Sequence, residues 1–289
     1  MIQLRALIRV TVQEYIRSKT MLALLLIGCF FVLIFSCCGL SESMSVNNQI
    51  VAKESQIDLF WGVAYWILAL YGVAGSVLLS MNCVSSEIRS RRAALVWTRP
   101  ISRMTWLIGK IIGVWIVTAI DTGVLFLLIY FLIVAKLKIV SFFPFVGFSI
   151  LLLEILAIII LVSTLSIRFS DVISGFLGSI IYGVSLVIGM DWVQAYFFQI
   201  QEYLAQTNTA PAELLRAFLQ EPPSILWQIF FWITYIITPH FGNIQGIGRK
   251  LASHSPIALS LDWWSFLSVL LYSLIFLIIG RREIKRMEF

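Results

Sequence analysis

Apolar runs of about twenty residues recur along this chain, and a basic segment is lodged between two of them. Segments 60–84 and 111–135 each carry the roughly 20 apolar residues needed to cross a bilayer. Segment 85–110, between them, holds six of the 21 Lys and Arg residues. Bases that flank a span resist translocation, so this hairpin belongs on the cytoplasmic side. It also has internal order. Ser85 and Ser86 are placed to end the preceding helix, and 91–97 reads as a short helix with the apolar patch Ala93, Ala94, Leu95, Val96. Pro100 then breaks the chain, and Ser102 stands where an N-cap would open the next span. Such a short helix across the mouth of a membrane bundle offers a soluble partner something to push. The alternative is a charged loop that only fixes topology.

Composition excludes a soluble globular domain. Mean hydropathy is +0.95, with 60% hydrophobic and 12% charged residues, so most of the apolar surface must face lipid or other spans. The net charge of +6 calls for no nucleic acid. Fifteen of the 21 bases fall in four segments that one topology places inside. They are Arg5, Arg9, Arg17 and Lys19; the six of 85–110; Arg168; and Arg281, Arg282, Lys285 and Arg286. The asymmetry predicts that both ends are cytoplasmic, and the membrane is expected to be the cell inner (plasma) membrane.

The apolar pattern predicts six spans, at 21–40, 60–84, 111–135, 145–167, 172–190 and 263–280. Ahead of the first, Leu4, Leu7, Ile8, Val12 and Tyr15 cluster on one side of a helical wheel. Arg5, Arg9, Gln13 and Arg17 form a row on another. Residues 1–20 therefore read as a basic interfacial helix, with no cleavable signal expected. Loops 41–59 and 136–144 are outer connections, and 168–171 is a minimal inner turn. Trp61, Trp192, Trp263 and Trp264 are expected at outer interfaces and Trp106 at an inner one. Segment 191–262 is read as an outer loop. Its run 224–238 is too short for a comfortable span and suits a re-entrant or interfacial helix, bounded by Pro222-Pro223 and Pro239.

Chemistry-bearing residues are sparse. Cys29, Cys37, Cys38 and Cys83 lack metal-ligand spacing and read as buried small hydrophobes. His240 and His254 are the only histidines, too far apart for a helical zinc pair. Asp121 and Glu154 lie inside predicted spans, Asp121 about 16 Å beyond Lys110 along a helix. Charge in hydrocarbon faces a partner or a water-filled path, so the two are candidate pathway residues or hydrogen-bonded packing residues. No span contains a histidine to serve a nucleophile. The phosphate-binding Gly-x-x-x-x-Gly-Lys-Ser/Thr loop is missing, so ATP hydrolysis is not expected in this chain. An integral membrane enzyme or a secondary transporter without an ATPase partner is the competing class, but no repeat of the transporter kind is evident.

The hairpin carries a resemblance. Glu87 after the second span, the basic stretch, and then Pro100-Ile101-Ser102-Arg103 and Gly109-Lys110 resemble the membrane subunits of type-2 ABC exporters. Where such permeases often have a Gly-Thr pair, this chain has Arg92-Ala93-Ala94. The resemblance implies an all-α permease, one transmembrane domain over 1–289, with six transmembrane helices, an N-terminal interfacial helix and short re-entrant helices between spans five and six. It implies a dimer with a second copy or a related permease, and a separate ABC ATP-binding subunit that holds ATP and Mg. Glu87, Arg91, Leu95, Trp97, Pro100 and Arg103 then form the ATPase-coupling hairpin. No cofactor, metal or catalytic residue is expected in the chain itself, and its partners would be that ATPase, the second permease and the lipid bilayer.

Overall fold

The computed structural model describes residues 2–39, 45–46, 49–50, 53–90, 102–138, 140–189, 233–235, 237–252 and 263–286. The described residues form helices α1 (Ile2–Ile16), α2 (Lys19–Gly39), α3 (Lys53–Met81), α4 (Ser85–Arg89) and α5 (Arg103–Leu137). They continue with α6 (Phe143–Arg168), α7 (Asp171–Ile188), α8 (Phe241–Ala252) and α9 (Trp263–Arg286). The strands among the described residues are a two-residue antiparallel pair, β1 (Ser45–Val46) with β2 (Gln49–Ile50).

Among the described residues, five helical stretches are long and apolar enough to cross a membrane: Phe60–Arg89, which takes in most of α3 and all of α4, Arg103–Lys136, Phe143–Arg168, Asp171–Ile188 and Trp263–Arg286. Helices α1 and α2 meet at a 63° bend and together supply a sixth candidate. The bundle is thus compatible with a membrane-embedded protein.

Helix α6 is the hub, packed against α3, α5, α7, α8 and α9. From Ala157 to Thr164 every residue is buried, the signature of a helix that is apolar all round and surrounded by others. Helix α9 is its opposite. Ser265, Val269, Gly280 and Ile284 are buried, while Leu267, Leu270, Leu271, Leu274, Ile278 and Ile279 are exposed. In water that stripe would be prohibitive; in a bilayer it faces material as apolar as itself.

Several boundaries depart from the sequence reading. The second span does not end at Ser85 and Ser86. Helix α3 stops at Met81, and those serines open the short helix α4. Helix α3 also begins at Lys53, inside the segment read as loop. Helix α5 begins at Arg103, where Ser102 takes the extended N-cap conformation and its side chain accepts the Thr105 N–H at 3.0 Å. With 35 residues, α5 is about 52 Å long, well over the hydrocarbon thickness of roughly 30 Å. Its other end is set by Lys138, a left-handed C-cap with φ of 56°, after which Pro144 sits in the first turn of α6.

Trp61 and Trp106 are 3% and 0% exposed, so both face the bundle rather than lipid. Trp61 packs against Phe126 and Tyr130. Trp263 and Trp264 are exposed as an interfacial belt requires, and Trp192 lies outside the described residues. Cys83 is buried and Cys29 half-buried.

Helix α8 lies between the fifth and sixth predicted spans, where the sequence reading expects short helices, but at a position it does not single out. It buries Phe241, Gly242, Ile244, Gln245, Gly248 and Ala252 against the bundle. Close approach explains two of its glycines: a Cβ on Gly242 would come within 2.8 Å of the Gly189 Cα, and one on Gly248 would run into the Tyr65 ring, while a Cβ on Gly147 of α6 would come within 2.7 Å of the Gly248 carbonyl oxygen. Of the run 224–238, residues 224–232 and 236 lie outside the described residues.

Candidate functional site

The strongest concentration of placed charge lies at the end of the bundle where α4 and α5 leave for the connection 90–102. Lys110 stands two turns into α5, and its side chain is 5% exposed. An ammonium this buried needs compensating charge, which two other helices supply. Glu87 of α4 forms an ion pair with it, and Glu14 of α1 approaches to 3.5 Å. The second oxygen of Glu87 accepts the Trp106 indole N–H at 3.2 Å. Trp106, one turn before Lys110, thus fixes the carboxylate that neutralises the lysine.

Helix α1 reaches this centre because α5 offers it a groove. Gly109 and Gly113 are four residues apart and face α1. A Cβ on Gly109 would run into Leu7, and one on Gly113 would come within 2.7 Å of the Thr11 side chain. Close packing over small residues is how helices associate where water cannot drive them together. Thr11 spends its hydroxyl on the Leu7 carbonyl at 3.0 Å. Tyr15 donates to the Leu79 carbonyl at 2.9 Å, tying α1 to the end of α3. The basic row Arg5, Arg9, Gln13 and Arg17 stays exposed.

A second charge cluster joins α4 to α7. Asp171 accepts from both Arg89 and Ser85, and it lies in the first turn of α7, where a carboxylate also meets the positive end of the helix dipole. A third tie joins α5 to α9. Arg103 donates from Nη1 to the Ile284 carbonyl at 2.8 Å, satisfying a carbonyl in the last turn of α9. Both roots of the 90–102 connection are therefore held, one by Glu87 and Arg89, the other by Arg103 and Lys110.

Of the residues predicted for the coupling hairpin, Glu87 and Arg103 are placed, and they contact different partners rather than each other. Arg91, Leu95, Trp97 and Pro100 lie outside the described residues. Sequence reasoning missed Glu14, Trp106 and Asp171 as partners. Their pairings span 96, 19 and 82 residues, beyond the reach of local pattern.

The two acids of the predicted spans sit apart from this face and from each other. Asp121 on α5 is 2% exposed, and the Tyr71 hydroxyl of α3 donates to its Oδ2 at 2.6 Å. Glu154 on α6 is fully enclosed, with Tyr65 of α3 and Tyr182 of α7 beside it. Neither of its carboxyl oxygens reaches hydrogen-bond geometry with another described residue. Tyr182 instead donates to Gln245 of α8 at 3.4 Å. These contacts link α3, α6, α7 and α8 through buried polar groups.

No protein-family model and no curated protein matches this chain.

Proposed function

We propose that the chain is the membrane-spanning permease subunit of an ABC exporter of the type-2 class, forming the substrate pathway as a dimer and driven by a separate ATP-binding subunit. The observation that carries this reading is the double anchoring of the hairpin roots. Glu87 is tied through Lys110 to α1 and α5, Arg89 to α7, and Arg103 to α9. A connection that only set topology would need no such ties. A connection meant to transmit force needs rigid links to the helices that move, and charge-assisted bonds supply them.

In this reading α2 is the first of six spans, α1 lies along the inner interface, and both termini are cytoplasmic. The segment between spans five and six, including α8, is the outer re-entrant region. The hairpin docks on the ATPase, where ATP and Mg are bound, and ATP-driven motion of that subunit pulls on α4 and α5. The substrate passes between two permease chains.

The test is mild solubilisation of native membranes, affinity capture of this chain and mass spectrometry of the intact complex. An ATP-binding subunit recovered with two permease chains is the expected result. A chain recovered alone, or with partners lacking nucleotide-binding motifs, contradicts the proposal.

A further inference from the structure

A cavity of about 520 Å³ opens at the hairpin end of the bundle, lined by Ser102, Arg103, Met104, Arg281, Ile284 and Lys285. Among the described residues that line it, three of six are cations and none is an acid. The amino end of α5, capped by Ser102, adds the positive pole of a long helix. The nearest acid along α9, Glu283, lies 3.9 Å from Arg286, which does not line the cavity. The space therefore favours an anion by charge alone.

Its setting narrows the anion. Leu274, Ile278, Arg281 and Lys285 follow one another at spacings of four, three and four, which places them on one face of α9. Leu274 and Ile278 are 51% and 48% exposed, and Arg281 and Lys285 are exposed as well. An apolar stripe therefore runs along the outside of the bundle and ends at two cations beside the cavity. A phospholipid has the same order, with acyl chains leading to a phosphate. A free anion would use the cavity but not the stripe.

We propose that this cavity and the stripe leading to it form a docking site for an anionic phospholipid, with its phosphate between Arg281 and Lys285 and one acyl chain along Leu274 and Ile278. Arg103 adds positive charge while it holds the end of α9, so the lipid sits against the root of the hairpin. The proposal requires α9 to be embedded in a bilayer and does not depend on the transport reading.

The test uses the full chain, purified in neutral detergent and titrated with phosphatidylglycerol, phosphatidylcholine or inorganic phosphate, with bound species counted by native mass spectrometry. Phosphatidylglycerol is expected to bind in preference to phosphatidylcholine. Arg281→Gln with Lys285→Gln is expected to weaken it roughly thirtyfold, at about one kcal/mol per base near a membrane surface. The control is Arg282→Gln with Arg286→Gln, which removes equal charge from the same helix outside the cavity and should leave binding within roughly threefold. If the double variant does not fold, each single variant should still weaken binding roughly fivefold, and Arg281→Lys should retain it. Equal weakening by both pairs would reduce the effect to net charge. Displacement of the lipid by inorganic phosphate at matching concentration would make the site one for a free anion. Loss of lipid binding on dimerisation would assign the α9 face to a second copy. Each of these three results overturns the proposal.

Discussion

Lys110 and Glu87 form an ion pair at the root of the hairpin, with side chains only 5% and 15% exposed. Glu14, the lysine's other partner, is 52% exposed and so is well screened by solvent. The first pair should matter far more than the second. Removing one member of a buried pair leaves an uncompensated charge and destabilises by about 3–5 kcal/mol, whereas removing both together is close to neutral.

Lys110→Met should therefore lower the thermal unfolding midpoint in detergent sharply, by the equivalent of about 3 kcal/mol. Adding Glu87→Gln should restore most of the loss, and Glu14→Gln alone should change stability by less than about 1 kcal/mol. If the double variant is as unstable as Lys110→Met, the pair is not what holds α4 to α5.

The groove that receives α1 gives a second prediction. A side chain at position 113 must displace Thr11, so Gly113→Val should destabilise by about 1–3 kcal/mol through overpacking. Hydrogen exchange should rise along α1 before it rises in α6. Unchanged protection of α1 would show that the helix does not depend on this contact.

Asp121 and Tyr71 make a third case. Tyr71→Phe leaves a buried carboxyl without its donor and should cost about 1–3 kcal/mol. Asp121→Asn and Glu154→Gln preserve shape and, in the proposed complex with an ATP-binding subunit, should keep most transport-coupled ATPase activity if these groups serve packing. Loss of that activity at normal expression and assembly would assign them to the substrate path instead.

The topology is open to direct labelling. Single cysteines in place of Ser45, Ser90 and Thr207, in a cysteine-free background, should respond differently to a membrane-impermeant thiol reagent on intact cells. Positions 45 and 207 are expected to react and 90 to be protected, following the distribution of bases. Labelling at 90, or protection at both other sites, rules the topology out.

What the sequence disclosed follows from the range of the forces involved. Ser102 was readable as a cap because the interaction closes within three residues. The apolar helices were readable because their length is set by the bilayer. That Trp61 and Trp106 face the bundle was not legible, because in an all-apolar helix periodicity cannot separate a bundle-facing side from a lipid-facing one. The end of α3 at Met81 was missed since Ser85 and Ser86 can open a helix as well as close one. Arg103 bonds a carbonyl 181 residues away, and no local pattern announces such a partner. Helix α8 was hidden by its polar residues and by glycines that read as loop, two of which serve close packing, Gly242 against Gly189 and Gly248 against Gly147.

The claim that the hairpin is the seat of coupling rests most directly on residues at its centre, Leu95 and Trp97. The decisive measurement is a titrated pull-down of the ATP-binding subunit on the full chain and on the variant Leu95→Asp with Trp97→Ala. Neither position lies in a predicted span, so insertion and expression should be unchanged. An aromatic anchor on a docking surface contributes much of its binding energy. The account predicts that the variant loses at least ~2 kcal/mol of affinity, roughly thirtyfold. Equal affinity for both chains would contradict it and leave the hairpin as a loop that only orients the protein in its membrane.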